Sequence, residues 1–289
     1  MTAAELVERV RDALSDYGDV EETAAAVLIA DMAPNVISCT VDDASVFDVG
    51  DWLHCEWEVM ETTQVTGSPV NEISVRRGLR GSTATAHASG TLMRSNLRFS
   101  SVRILNALNA ALAGAYPLLF KQVEDTHLTV VNGQDLYTLS SPTRSIRSFW
   151  IERTVGGGDY ELCRLAVPLD LDSFILYGSW PDGAGIKVIT TTTFTRMTST
   201  GNLDSSFPDD DEAYDYLVKD AVGRLLAGLA ASESINSSVE ARGSQQGQDT
   251  RYVLINAAKH HRSEARESLR KCRMQLPVKV SPRPDARYF

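Results

Sequence analysis

The chain has 289 residues, of which 43% are hydrophobic, 23% charged and 7% aromatic. That balance excludes wholesale disorder and any collagen-like or coiled-coil identity, and the length suits one large domain or two to three small ones. No run of about 18 apolar residues occurs, which excludes a spanning helix. The opening MTAAELVERVRDALSDYG is charged and amphipathic rather than basic then apolar. It reads as carrying no secretory signal, in a soluble chain that stays in the compartment that made it.

The formal net charge is -10, unevenly spread. From Arg251 to Phe289 there are ten Lys or Arg against three acids, so the remainder is more acidic than the total suggests. An acidic body with a basic end points to a charged partner for that end. The four cysteines, Cys39, Cys55, Cys163 and Cys272, form no C-x-x-C pair. Reduced, scattered thiols are the simplest account, without a zinc ribbon or a disulfide framework.

Along the chain, residues 1–18 predict a short N-terminal helix, with Leu6, Val10 and Leu14 four apart and Gly18 as the stop. Residues 19–96 predict a β-rich module of short runs, among them WLHCEWEVME. In that run Trp52, His54, Glu56 and Glu58 alternate with Leu53, Cys55, Trp57 and Val59, as in one half-buried strand. Residues 97–126 hold a core helix from about Ser101 to Phe120, striped by Val102, Leu105, Leu108, Leu112, Tyr116 and Leu119, its last turn bent at Pro117. Residues 127–205 read as a second β-rich module, with Asn132-Gly133, Gly156-Gly157-Gly158 and Asp182-Gly183 as hairpin connections.

Residues 206–274 carry two C-terminal helices, from about Asp210 to Ser232 and from about Thr250 to Cys272, joined by the polar SESINSSVEARGSQQGQ, a linker or a weak helix. Residues 275–289, with Pro277, Pro282 and Pro284, form an extended arm without a core of its own. Each long helix shows a single apolar face, and the economical partner for such a face is another one. The expected fold class is therefore α+β: a bundle of three to four helices with two β-rich insertion modules and the extended C-terminal arm.

Motifs for chemistry are few. Arg77-Gly78-Leu79-Arg80-Gly81-Ser82-Thr83 lacks the lysine of a phosphate-binding loop and leads into an Ala-rich stretch, so it reads as tight turns between strands. There is no G-x-S-x-G and no Cys-His-Asn signature, and the adjacent His54 and Cys55 point to opposite faces of a strand. No cofactor, metal or catalytic residue is expected. Asp204, Asp209, Asp210, Asp211, Glu212 and Asp215 put six acids in twelve positions. Carboxylates there complement the positive end of a helix dipole but exceed what capping needs, and a solvated acidic surface is the reading. Arg262, Arg266, Arg270 and Arg273 fall along one helix face as a basic stripe suited to phosphates or to an acidic protein surface. With pI ≈ 5.0, the protein surface is the better fit.

The stretch NEISVRRGLRGSTATAHASGTLMR resembles a segment of tailed-phage virion proteins in which a strand ends in R-G-x-x-G-[ST]-x-A-x-x-H, here Arg77, Gly78, Gly81, Ser82, Ala84 and His87. VRILNALNAALAGAYPLLFKQVEDTHLTVVNGQDLYTL, with the final helix pair and the Pro/Arg arm, is similar in layout to head-to-tail connector (adaptor) proteins of long-tailed bacteriophages. That resemblance implies a structural virion protein at the phage neck, assembled in the host cytoplasm. It would form a ring of twelve copies docked on the portal and extend a channel that passes DNA without sequence-specific binding, with no membrane contact. Stopper or tail proteins would lie below it; another neck or tail role (stopper, tail completion, minor tail protein) is the alternative. On this reading the arm embeds in the portal: Leu276, Val278 and Val280 alternate for strand addition, and Arg283, Arg287, Tyr288 and Phe289 anchor the interface. Acids at 209–212 would line the channel and repel phosphate.

Overall fold

The structure, a computed structural model, describes residues 1–15, 24–95, 97–140, 143–240 and 246–272. The chain divides into two compact units. The first comprises Met1–Ala111, Arg196–Leu203 and Tyr214–Ser268; the second is built from Leu112–Thr195, Asp204–Ala213 and, among the described residues, 269–272.

The first unit opens with α1 (Ala3–Ser15), whose Leu6, Val7, Val10 and Leu14 are buried. An antiparallel sheet follows, made of β1 (Ala25–Val27), β2 (Ser38–Thr40), β3 (Trp52–Cys55), β4 (Glu58–Thr66), β5 (Glu72–Arg76) and β6 (Leu92–Ser95). Their order is β1-β6-β3-β4-β5-β2. One face carries a core of its own, including Leu28, Met32, Leu53, Cys55, Met60, Ile73 and Met93. The helix α2 (Ser101–Gly114) begins in this unit, and its buried Asn109 donates to and accepts from the Met197 backbone at 3.0 and 2.8 Å.

The second unit holds β7 (Lys121–Thr129), β8 (Leu136–Thr138), β9 (Ser145–Glu152), β10 (Tyr160–Cys163), β11 (Ala166–Pro168), β12 (Ser173–Leu176) and β13 (Gly185–Thr192). They form a four-stranded sheet, β10-β9-β13-β7, and a three-stranded sheet, β11-β12-β8. The two share one core: Phe174 of the smaller sheet lies 4.6 Å from Phe149 of the larger and 5.5 Å from Tyr137, centroid to centroid. Asp204 ties this unit together, accepting from Lys121 Nζ at 3.1 Å, the Thr195 amide at 3.1 Å and Ser206 Oγ at 2.6 Å.

The long helices are α3 (Asp211–Glu240) and α4 (Gln246–Lys271). Tyr216 Oη donates to the Ala111 carbonyl at 2.8 Å, and α4 approaches so closely that a Cβ on Gly223 would meet Arg262 Cγ at 2.6 Å.

The expected helical bundle with β-insertions is not the architecture. Among the described residues, thirteen strands in three sheets stand against four α-helices. The physical reason lies in the cores: both β-regions bury apolar side chains against their own strands, so they are self-contained layers rather than decorations on a bundle. An apolar helix stripe shows that a face is covered without showing by what. Boundaries shift too. The helix expected to reach Phe120 ends at Gly114, ahead of the bend expected at Pro117. Of the two readings of the polar stretch from Ser232, linker or weak helix, the helix holds as far as Glu240: α3 continues through it, with neither Gly nor Pro up to that point.

Candidate functional site

The most highly organised polar group centres on Glu58, and the local backbone explains its position. The run WLHCEWEVM is a hairpin rather than one strand: β3 and β4 are joined by the two-residue turn Glu56-Trp57, with Glu56 at φ 49°. A two-residue turn with a positive first central φ matches the twist of paired strands. It places Cys55 opposite Glu58 and Leu53 opposite Met60. Since Leu53, Cys55 and Met60 belong to the core, Glu58 faces the core as well, where an ionised carboxylate needs partners.

Those partners come from the loop after β5. Arg77 grips the carboxylate with two bonds, Nε to Oε1 at 2.9 Å and a terminal nitrogen to Oε2 at 2.6 Å. The two side chains are only 5% and 0% exposed. The Gly78 and Thr85 amides donate to the same carboxylate at 3.1 Å each, and His87 Nε2 lies 2.9 Å from Oε2. The guanidinium also donates to the carbonyls of Ala33, Val36 and Thr85. His87 Nδ1 sits 2.8 Å from Glu56 Oε2, so the ring bridges two carboxylates. Burial pushes the Glu58 carboxyl up, but the bonds from Arg77, His87 and the Thr85 amide outweigh it and hold the group below the ordinary carboxylate range.

The motif glycines shape the loop around this anchor. Gly78 and Gly81 adopt φ of 64° and 82°, which L side chains rarely take, and a Cβ on Gly78 would meet the Ala84 amide nitrogen at 3.3 Å. Ser82 Oγ accepts from the Val59 amide at 2.9 Å, fastening the loop to β4. The polar residues of R-G-x-x-G-[ST]-x-A-x-x-H, Arg77, Ser82 and His87, thus hold the loop, and the Glu58 carboxylate they and the loop amides surround acts as the anchor of a clamp.

A second polar locus lies between α1 and the other face of the sheet, a cavity of about 250 Å³ lined by Arg11, His54, Glu56, Trp57, Arg94 and Ser101, among others. Arg11 donates to Ser101 Oγ at 2.7 Å, and Ser101 Oγ donates to the Glu56 carbonyl at 2.7 Å. Arg11 Nε and His54 Nε2 are buried without a partner. Burial, with Arg11 and Arg80 nearby, lowers His54 to about 4, so the ring is neutral at physiological pH. In the second unit, Glu152 accepts from the amides of Gly156, Gly158 and Gly185, fixing the triple-glycine hairpin loop.

The residues singled out in the sequence distribute as follows. Asp210 caps α3 by accepting from the Glu212 amide at 3.3 Å, and Asp209, Asp211 and Glu212 are exposed beside it. Arg262 lies 3.9 Å from Asp220 of α3, which Arg224 also binds at 2.6 Å, so this member of the basic stripe is engaged within the fold. Arg266 and Arg270 are exposed; Arg273 lies outside the described residues. The arm residues Leu276, Val278, Val280, Arg283, Arg287, Tyr288 and Phe289 also lie outside them. All four cysteines are buried and unbridged, and no group of three or more His, Cys, Asp or Glu among the described residues could hold a metal ion. No described helix is long and apolar enough to cross a membrane.

The loop after β5 is legible in the sequence as tight turns, whereas its anchor is not. Glu58 precedes Arg77 by 19 positions, and only the β4–β5 register brings them together. No known protein family matches the chain, and no curated protein matches it.

Proposed function

We propose that the chain is a non-catalytic structural virion protein, the adaptor ring between the portal and the stopper or tail at a phage neck. The observation that carries this reading is the clamp. In the segment Arg77–His87, which resembles a virion-protein segment, the motif side chains Arg77, Ser82 and His87 are engaged in internal bonds. A motif spent on rigidity suits a part that bears mechanical load. The basic, proline-rich stretch 275–289 suits an arm that orders on a partner, here the portal ring. Twelve copies would close a ring through which DNA passes without sequence-specific contact, the acids at 209–212 lining the passage. The site of action is the virion neck after assembly in the host cytoplasm.

Co-sedimentation of the purified chain with DNA-filled, tailless capsids that retain their portal tests this. The full chain binds at a fixed ratio, and a version ending at Met274 does not. Binding by neither form removes the portal reading and makes tail tubes the next bait. Equal binding by both keeps the docking and discards the arm as its carrier.

A further inference from the structure

The three-stranded sheet is apolar on both faces. Inward, Tyr137, Ala166, Phe174 and Leu176 join the core. Outward, register sets Val167 beside Ile175 and Ile175 beside Leu136, a row across all three strands. Val167 and Leu136 are 41% and 54% exposed. Tyr177, whose amide donates to the Leu165 carbonyl at 2.9 Å, extends the row toward the hairpin base; Tyr177, Leu165 and, at the tip, Leu169 are each about half exposed. Together these side chains present on the order of 500 Å² of contiguous apolar surface, at the upper end of what a soluble monomer shows. A sheet with two apolar faces is ordinarily covered on both.

We propose that this outer face pairs with the same face of a second copy, so that the free chain is a two-fold dimer held by sheet-on-sheet packing. Three features select that occupant. Paired with itself, the patch removes on the order of 1,000 Å² from water, and with its rim it reaches the roughly 1,200 Å² at which specific interfaces become stable. A flat face with residues at period two packs on its own copy at about 10 Å with strands nearly aligned. The rim is also charge-complementary to itself. Asp170 and Asp172 flank the hairpin tip, while its base carries the exposed Arg164 on one edge and the exposed Asp135, whose carbonyl accepts from the Leu176 amide, on the other. An antiparallel two-fold arrangement sets each tip over the partner's base, acid against guanidinium. The acidic tip disfavours a nucleic acid or an anionic lipid surface.

This pairing belongs to the free chain and stands apart from the neck reading. Copies in a ring meet through unlike surfaces, so the two-fold contact opens before a ring closes. It keeps the apolar face covered until a template is present.

Sedimentation velocity of the full chain, from about 1 to 50 µM, reads the outcome directly. The expected species has twice the 31.6 kDa chain mass. Val167→Lys and Leu136→Lys, each at an outward position, raise the dimer dissociation constant by at least about a hundredfold, since each change acts on both copies. Circular dichroism of each variant unchanged from wild type confirms that folding is intact. Arg164→Glu weakens the dimer, and combining it with Asp170→Arg and Asp172→Arg restores it. A monomer throughout the range overturns the proposal, as does a larger wild-type assembly, or a dimer that neither lysine variant nor the charge swap affects. None of these results bears on capsid binding, so failure here and failure of the neck reading are separable.

Discussion

Replacing Arg77 by Met keeps most of the stem and removes the guanidinium from a site where both it and its partner are almost fully buried. Glu58 would then retain the Gly78 and Thr85 amides and His87, but would lose the Arg77 guanidinium, a fixed cation bonded to both its oxygens. Breaking one side of a buried ion pair costs about 3–5 kcal/mol, because the remaining charge is left under-compensated. The carbonyls of Ala33, Val36 and Thr85 lose a donor as well, at about 1 kcal/mol each in isolation. These contributions share one network and do not add. A loss of about 4 kcal/mol is expected, a large part of a domain stability of about 5–15 kcal/mol.

The assay is urea denaturation followed by tryptophan emission in a Trp150→Phe, Trp180→Phe background, which leaves Trp52 and Trp57 as reporters of the first unit. Glu58→Met and the double variant complete a cycle. Removing both charges together costs clearly less than the sum of the single losses, with a coupling of about 2 kcal/mol or more. A single-variant loss below about 1 kcal/mol, or strictly additive singles, would refute the claim that the pair organises the loop.

Three other outcomes follow from the same contacts. His54 is buried and neutral, with a folded pKa near 4 against an ordinary 6.5. The unfolded chain therefore binds the extra proton between those values, and stability falls as pH drops through that window, by up to about 3 kcal/mol. His54→Leu flattens the slope in urea titrations at pH 7.5, 5.5 and 4.5, whereas an equal slope in both proteins would exclude this source. Asp204 is held below the ordinary aspartate range because its bonds from Ser206 and Thr195 outweigh burial; Asp204→Ala lowers unfolding free energy at neutral pH by about 2–3 kcal/mol, and the difference shrinks as pH falls below about 4. Burial pushes Cys39 up to about 11 and Cys55 up to about 12. Iodoacetamide at pH 8 leaves both unmodified in the native chain and labels both in urea, as read by peptide mass spectrometry.

How far the sequence was legible varies by element. Helix positions were readable because a stripe at period 3.6 survives any tertiary context: α1, α2, α3 and α4 all begin within about four residues of the expected starts. What the stripes lacked was their counterpart, and that gap produced the bundle expectation. The hairpin at Glu56-Trp57 was invisible because the turn contains no Gly, Asn or Pro, and Glu at positive φ is a choice that only the surrounding contacts sustain. Reading straight through it kept Glu58 in phase with His54 and put it on the wrong face, hiding the anchor of the clamp. The loop itself was legible as turns, because its glycines sit at the positive-φ positions the path requires.

The clamp and the outer sheet face mark opposite uses of side chains. In the first unit, polar residues that look chemical in the sequence are drawn inward and satisfied, so they specify one loop path and contribute nothing to a surface. In the second, the hairpin Leu165–Tyr177 carries apolar residues on both faces, which suits an outer face that a partner covers. Recognition is therefore better sought on exposed apolar and charged faces than in the histidine- and arginine-bearing motif. A Val167→Lys chain that folds yet fails to pair, beside an Arg77→Met chain that loses stability yet still pairs at temperatures where it is folded, would separate the two roles experimentally.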